Sequence, residues 1–163
     1  MMKRFVIVIG VLCLLQTPAL SLVPVATAAP KALAIQDHEV ADVEVALLEV
    51  KRTSGNTVTV RWHYRNKSSR AVKLDHGGGS MDGYRFARAA YLLDAVNRVK
   101  YTVLMDSQSQ PIAALHAQFG SGVVLAPRQT VVTWAKFQAP AAGVTKVTVN
   151  VPGAAPFEDV PLS

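Results

Sequence analysis

The stretch 130–160 constrains the fold more than any other part of the chain. Two runs rich in β-branched residues, 131–137 and 144–151, flank a short connection of alanine, proline and glycine. From 147 to 151 every second residue is valine, and this period of two is typical of a half-buried strand. We therefore predict that the two runs form the closing hairpin of an all-β domain, with Trp134 as an anchor of its core.

The cleanest alternation lies in 57–65, where large apolar residues share one face and polar residues share the other. The apolar set is Val58, Val60, Trp62 and Tyr64, and the polar set is Thr59, Arg61, His63 and Arg65. The segment 38–50 alternates in the same way until Leu48 breaks the phase, which indicates a β-bulge. Because the turn sequence Ser54-Gly55-Asn56 connects the two segments, they are predicted to form a hairpin.

The remaining sequence favours the same fold class. Short candidate strands recur at intervals of about ten residues, and no long helical pattern interrupts them. The segment 84–94 is ambiguous, and we favour extended structure ending in a strand at 89–93. The pattern as a whole predicts an antiparallel β-sandwich of about seven to nine strands.

The first thirty residues have the form of a secretory signal peptide. Lys3 and Arg4 precede an apolar run, 5–15, and the stretch ends in the small-x-small triplet Ala26-Thr27-Ala28. The apolar run is too short to cross a bilayer, which needs about twenty residues. Cleavage after Ala28 would leave no transmembrane segment. The predicted organisation is a signal peptide at 1–28, a flexible leader at 29–37 and a β-sandwich domain at 38–163.

Removal of the signal peptide changes the chemistry that the chain can perform. The only cysteine, Cys13, lies in that segment, so the mature chain has no disulfide, thiol nucleophile or thiolate ligand. A cysteine-free exported domain fits the bacterial envelope better than animal secretion, where small domains rely on disulfides. The mature chain is long enough to bury a sizeable core without cross-links. It keeps a formal charge of +4 once Lys3 and Arg4 are removed.

Several segments resemble a group of exported bacterial domains of unknown function. They are Tyr91-Leu92-Leu93-Asp94-Ala95-Val96-Asn97 with Lys100-Tyr101, Leu125-Ala126-Pro127, Thr133-Trp134-Ala135-Lys136-Phe137, Val147-Thr148-Val149 and Pro156-Phe157-Glu158-Asp159-Val160-Pro161. Those domains are similar to the immunoglobulin-like sandwich of a secreted mycobacterial antigen, and some relatives precede an OmpA-type domain. The resemblance implies an immunoglobulin-like fold and a periplasmic or secreted location. It implies no catalytic residue.

The glycine-dense loop from Asp75 to Gly83 offers the alternative of an enzyme. Its His76-Gly77-Gly78-Gly79 sequence resembles the oxyanion-hole loop of lipases and esterases. Around Ser80, however, Asp82 replaces the second glycine of the nucleophile motif Gly-x-Ser-x-Gly. The acidic and histidine residues of the loop also lack the ligand spacing of a metal site. We expect no catalytic residue, metal or cofactor, and keep a small hydrolase using this loop as an alternative.

A strip of basic residues is the candidate binding site. Its members are Arg61, His63, Arg65, Lys67, Arg70 and Lys73. The first three occur at steps of two residues, which places them on one face of a strand. Such a strip can attract an anionic envelope component or an acidic protein, or it can simply keep a sheet face soluble and unpaired. Nucleic acid is not an expected partner, because the aromatic residues of this strand point to the other face.

Together these features favour a non-enzymatic exported binding or accessory module of the bacterial envelope or extracellular space. The expected partner is an envelope or extracellular protein, or an anionic envelope component. A small-ligand carrier with a pocket between the sheets is a further hypothesis.

Overall fold

The computed structural model describes residues 31–74, 84–116 and 123–163. The predicted signal peptide and the glycine loop 75–83 lie outside these ranges. The elements are β1 (Ala34–Asp37), β2 (Val43–Thr53), β3 (Thr57–Asn66), β4 (Val72–Lys73), α1 (Arg85–Arg88), β5 (Tyr91–Asp94), β6 (Val99–Thr102), β7 (Val124–Leu125), β8 (Thr130–Gln138), β9 (Lys146–Asn150) and β10 (Phe157–Pro161). Apart from the single turn of α1, the described residues therefore form an all-β fold, as predicted. Within the same ranges, no helix has the length and apolar character needed to cross a membrane.

Two four-stranded antiparallel sheets contain most of the strands. The first sheet has the order β1-β2-β3-β8, the second has the order β10-β9-β5-β6, and β4 pairs with β7 in a separate ladder. Isolated bridges also connect the two sheets at their margins. They join His38 to Ala154 and Val103 to Phe137. The arrangement is consistent with a β-sandwich, in which two sheets bury their facing sides against each other.

The inward side chains of β3 supply much of the core. Val58, Val60, Trp62 and Tyr64 are all buried, as their alternation predicts. Buried residues of the second sheet belong to the same hydrophobic cluster, among them Leu92, Val149 and Phe157. The phase predicted for 57–65 is thus confirmed, and the polar set of this strand faces outward.

The hairpin predicted between the first two long strands is also confirmed. β2 and β3 pair in antiparallel register from Val43 opposite Asn66 to Thr53 opposite Thr57. The turn between them places both Gly55 and Asn56 in the left-handed region, with φ of 75° and 54°. The register shifts between Leu47 and Glu49, so the bulge indicated by the phase break at Leu48 is present.

The closing hairpin predicted for 130–160 is wrong. β8 pairs with β3 in the first sheet, whereas β9 pairs with β10 and β5 in the second. The connection 139–145 therefore crosses between the sheets. Arg52 holds this connection, because its guanidinium donates to the carbonyl oxygens of Pro140, Ala141 and Val144 at 2.8, 2.9 and 3.0 Å. Two strands with one apolar face each can pack across a core as well as pair edge to edge, and alternation does not distinguish the two.

Trp134 is not the core anchor that was predicted. Its side chain is 36% exposed, while Thr133, Ala135 and Phe137 of the same strand are buried. Trp134 and Phe137 are three positions apart, and a strand with a period of two cannot place both on one face. Phe137 takes the inward face, so Trp134 points outward.

Two other boundaries differ from the predictions. The expected leader 29–37 contains β1, which pairs with β2 from Ala34 opposite Leu47 to Asp37 opposite Glu44. Four successive ladder pairs are thus formed by residues that show little sequence periodicity. The segment 84–88 contains the short helix α1 rather than extended chain, whereas the strand predicted after it is present as β5. Alanine and arginine are good helix formers, so the composition of 85–88 is compatible with this helical turn.

Candidate binding surface

The outward side of the first sheet carries exposed apolar residues on its two outer strands, β1 and β8. Cross-strand register aligns Ile35, Ala46, His63 and Val132 in one line across all four strands, which we call the central row. Ile35 is 57% exposed and Val132 is 45% exposed, at the two ends of the row, whereas Ala46 between them is fully buried and His63 is half-buried. Outward positions of a sheet that faces only water are usually polar. The central row departs from that rule.

The neighbouring row contains the exposed tryptophan. Glu49 lies opposite Arg61, and Arg61 lies opposite Trp134. We call these three residues the tryptophan row. Direct cross-strand neighbours on one face have Cβ atoms about 5 Å apart, so the Trp134 ring and the Arg61 side chain are adjacent. The two rows together form the candidate binding surface.

On the other side of the central row, charges of both signs occur. Asp37 lies opposite Glu44, and Glu44 lies opposite Arg65. Lys67, just beyond the end of β3, forms an ion pair with Asp37 at 3.1 Å between Nζ and Oδ1. Each basic residue on this part of the face therefore has an acidic neighbour, which reduces the attraction of the surface for a polyanion.

The structure brings together only part of the predicted basic strip. Arg61, His63 and Arg65 share the outward face of β3 as their spacing indicates. Arg70 lies in the loop after β3, and Lys73 lies in β4, within the separate two-stranded ladder. The strip as a binding site stays a prediction. Its acidic neighbours, Glu44 and Glu49, come from β2 and were not part of the sequence hypothesis.

His63 lies at the centre of the surface in a half-buried position. Its Nε2 atom is buried and has no hydrogen-bond partner among the described residues. Burial lowers the pKa of His63, with a smaller opposing effect of Glu44 and a smaller reinforcing effect of Arg65. His116, also half-buried, has its pKa lowered by burial as well. Both imidazoles are therefore neutral near pH 7.

These histidines predict a loss of stability in mild acid. A histidine with a depressed folded-state pKa favours the folded protein above its unfolded pKa of 6.5, and this contribution is lost as the pH falls through the folded pKa. Urea unfolding at pH 7.5, 6 and 5 should therefore show a decreasing free energy of unfolding. His63→Gln, which cannot be protonated, should reduce the dependence of the free energy of unfolding on pH. A free energy of unfolding that does not change between pH 7.5 and pH 5 in the wild type would contradict the burial of the neutral rings.

The described residues give no support to a metal site. No group of three or more His, Cys, Asp or Glu side chains within 31–74, 84–116 and 123–163 is placed to hold a metal ion. The hydrolase hypothesis depends on the loop 75–83, which lies outside those ranges, and it stays a hypothesis.

Sequence reasoning missed the apolar part of the surface. The signal was present in the odd spacing of Trp134 and Phe137, which forces one of the two outward. The pairing of β8 with β3, which brings Val132 beside His63, has no local signal. Comparison with known proteins adds nothing to this assignment, since no protein-family model, curated protein or solved structure matches the chain.

Proposed function

We propose that the chain is a non-enzymatic exported module with an immunoglobulin-like sandwich, acting in the bacterial envelope or outside the cell. In this proposal the signal-peptide-like segment 1–28 directs export. The module then binds a partner protein through the central row and the tryptophan row. The two antiparallel sheets and the family resemblance support the fold, and the composition of 1–28 supports the compartment.

The observation that carries the binding role is the exposure of Trp134 beside Arg61 and Val132. Tryptophan and arginine are the residues that most often dominate the binding energy of protein interfaces. The cores of such interfaces are depleted in charge and surrounded by polar residues. The candidate surface resembles this composition, because the exposed side chains of Val132 and Trp134 have charged residues on the neighbouring strand positions around them.

A protein partner fits the surface better than an anionic polymer. Arg61 has Glu49 as its neighbour, and Arg65 has Glu44. A polysaccharide or lipid headgroup layer of one sign would meet repulsive and attractive groups together. A protein can instead place a complementary charge opposite each of them, and it can cover the apolar row at the same time.

Binding can be tested with the chain from residue 29 immobilised on a support, which retains every described strand. Solubilised envelope proteins and anionic envelope fractions are passed over the wild type and over variants. The double variant Val132→Ser/Trp134→Ser should lose a discrete bound protein. Val99→Ser is the matched control, because Val99 is a 39% exposed valine on β6 of the second sheet. It should bind as the wild type does.

The charge-reversal variant Arg61→Glu/Arg65→Glu separates the two partner classes. If only this variant loses binding, and the binding is strongly salt-dependent, the partner is an anionic component and the apolar rows are not the contact. If all variants retain the same proteins as the wild type, the candidate surface is not used.

A further inference from the structure

A groove on the second sheet forms a separate candidate site. Its volume is about 370 Å³, within the range of small-molecule sites. β9 forms the floor, the turn 95–98 forms one wall, and β10 contributes Asp159 on the other side. The connection 139–145 closes one end through Ala141, Gly143 and Val144. None of the residues of the candidate binding surface lines this groove.

The turn that forms the first wall is fixed by the buried residue Asp94. Its Oδ1 accepts hydrogen bonds from the backbone N–H groups of Val96 and Asn97 at 3.1 and 3.0 Å. Its Oδ2 accepts a hydrogen bond from Nδ2 of Asn97 at 2.7 Å. The bonds from Asn97 are the main reason why the pKa of Asp94 is lowered. This wall is therefore formed before any ligand arrives.

The other sides of the groove are also held by hydrogen bonds. The connection 139–145 is fastened by Arg52 and by the bond from Val144 N–H to the Ala141 carbonyl at 2.9 Å. The C-terminal chain is tied to it by the bond from Leu162 N–H to the Thr145 carbonyl at 2.9 Å. Preformed walls reduce the conformational entropy that the protein loses when a small ligand binds.

The groove presents one cation, one anion and an apolar surface. Lys146 and Asp159 both line it. They do not form an ion pair with each other, since the ion pair found among the described residues joins Lys67 to Asp37. Val96 and Val144 supply apolar contact, and Val96 is 88% exposed. A ligand complementary to this set carries a carboxylate, an ammonium group and an apolar side chain.

We propose that the groove binds a short peptide of dipeptide size with free ends. Its carboxylate pairs with Nζ of Lys146, its ammonium group pairs with the carboxylate of Asp159, and its apolar side chain rests on Val96 and Val144. This places a small-ligand site on the outside of the second sheet, rather than between the sheets where a carrier pocket was hypothesised. The inference is independent of the partner proposed for the first sheet.

The test uses the ¹⁵N-labelled chain from residue 29 and the dipeptide Leu-Ala, titrated to about 20 mM, which covers weak millimolar binding. Saturable shifts are expected at the amides of Asn97, Gly143, Thr145 and Thr148. The same dipeptide with acetylated and amidated ends should bind at least about tenfold more weakly, because both charge contacts are removed. Lys146→Met, which keeps the aliphatic stem, should weaken Leu-Ala to a similar degree.

Lys51→Met is the matched control, since Lys51 is an exposed lysine of the first sheet. It should leave the affinity for Leu-Ala unchanged. Asp159→Asn tests the opposite charge, and asparagine tolerates the left-handed backbone of this position, where φ is 52°. The amide spectrum of each variant confirms that it is folded. Absence of saturable shifts in the wild type, or unchanged affinity in Lys146→Met, would overturn the inference without affecting the proposal for the first sheet.

Discussion

Replacing Trp62 by alanine should lower the free energy of unfolding by about 3–5 kcal/mol, the usual cost of removing a large buried aromatic side chain. The same replacement of Trp134 should cost less than about 1 kcal/mol, as is usual at an exposed position. Trp62 is fully buried between Leu47 and Thr133, its neighbours on the flanking strands. Trp134 points away from the core. Urea unfolding followed by far-UV circular dichroism measures both values without depending on the indole signal.

Fluorescence gives an independent check, because these two residues are the only tryptophans of the chain. Trp134→Ala leaves the buried Trp62 and should emit at short wavelength, whereas a folded variant with Trp62→Phe should emit at long wavelength. Similar costs for the two alanine variants, or similar emission from the two remaining indoles, would place Trp134 in the core and remove the basis of the candidate surface.

Asn66→Ala should be the most damaging polar substitution, with a loss of about 3 kcal/mol. Asn66 is fully buried at the end of β3. The two N–H groups of its Nδ2 lie within hydrogen-bonding distance of the carbonyl oxygens of Arg70, Leu125 and Ala126, at 2.6, 3.3 and 3.0 Å, so one of them is shared. Its Oδ1 accepts hydrogen bonds from the backbone N–H and the hydroxyl of Ser68 at 2.8 and 2.7 Å. Alanine removes all of these hydrogen bonds from a fully buried position, and losing hydrogen bonds to buried polar groups is costly. The carbonyl oxygens of Arg70 and Ala126 each keep one partner, the hydroxyl of Ser68 and the N–H of Gln129.

Ser68→Ala is the control for this substitution. It removes the hydroxyl of one partner and leaves the remaining bonds of Asn66 in place, so it should cost about 1 kcal/mol. Urea unfolding of both variants at pH 7.5 provides the comparison. If Asn66→Ala is no more destabilising than Ser68→Ala, Asn66 does not hold the loop after β3 against the segment before β8.

The features that the sequence predicted correctly are those that a single strand records in its own pattern. The alternation in 57–65 specifies which side chains of β3 are buried, because successive residues of a strand point to opposite faces. Leu48 reveals a bulge for the same reason, since one extra residue reverses the phase. Neither inference requires knowledge of the neighbouring strand.

The pairing of strands could not be predicted in the same way. The apolar faces of β8 and β9 are equally compatible with a hairpin and with packing across the core. Which of the two forms depends on the chain between them, including the carbonyl groups that Arg52 binds from a distant strand. That contact joins residues almost ninety positions apart and has no local signal.

The candidate surface shows the same limit. The spacing of Arg61, His63 and Arg65 was sufficient to place these residues on one face. The acidic residues of β2 and the apolar residues of β8 become their neighbours only through the register of strand pairing, which the sequence of β3 does not contain. They change the interpretation of the surface from a basic strip to apolar residues with paired charges around them. This is the reason for proposing a protein, one of the two partner classes that the sequence left open.

The most direct test of the proposed function is a photo-crosslinking amino acid placed at position 134 or at position 99 in cells that export the protein. Both positions are exposed, the first on the first sheet and the second on β6 of the second sheet. The proposal predicts a discrete protein adduct from position 134, lost when Val132→Ser is added, and no such adduct from position 99. An adduct of equal yield from both positions, or none from position 134, would contradict it.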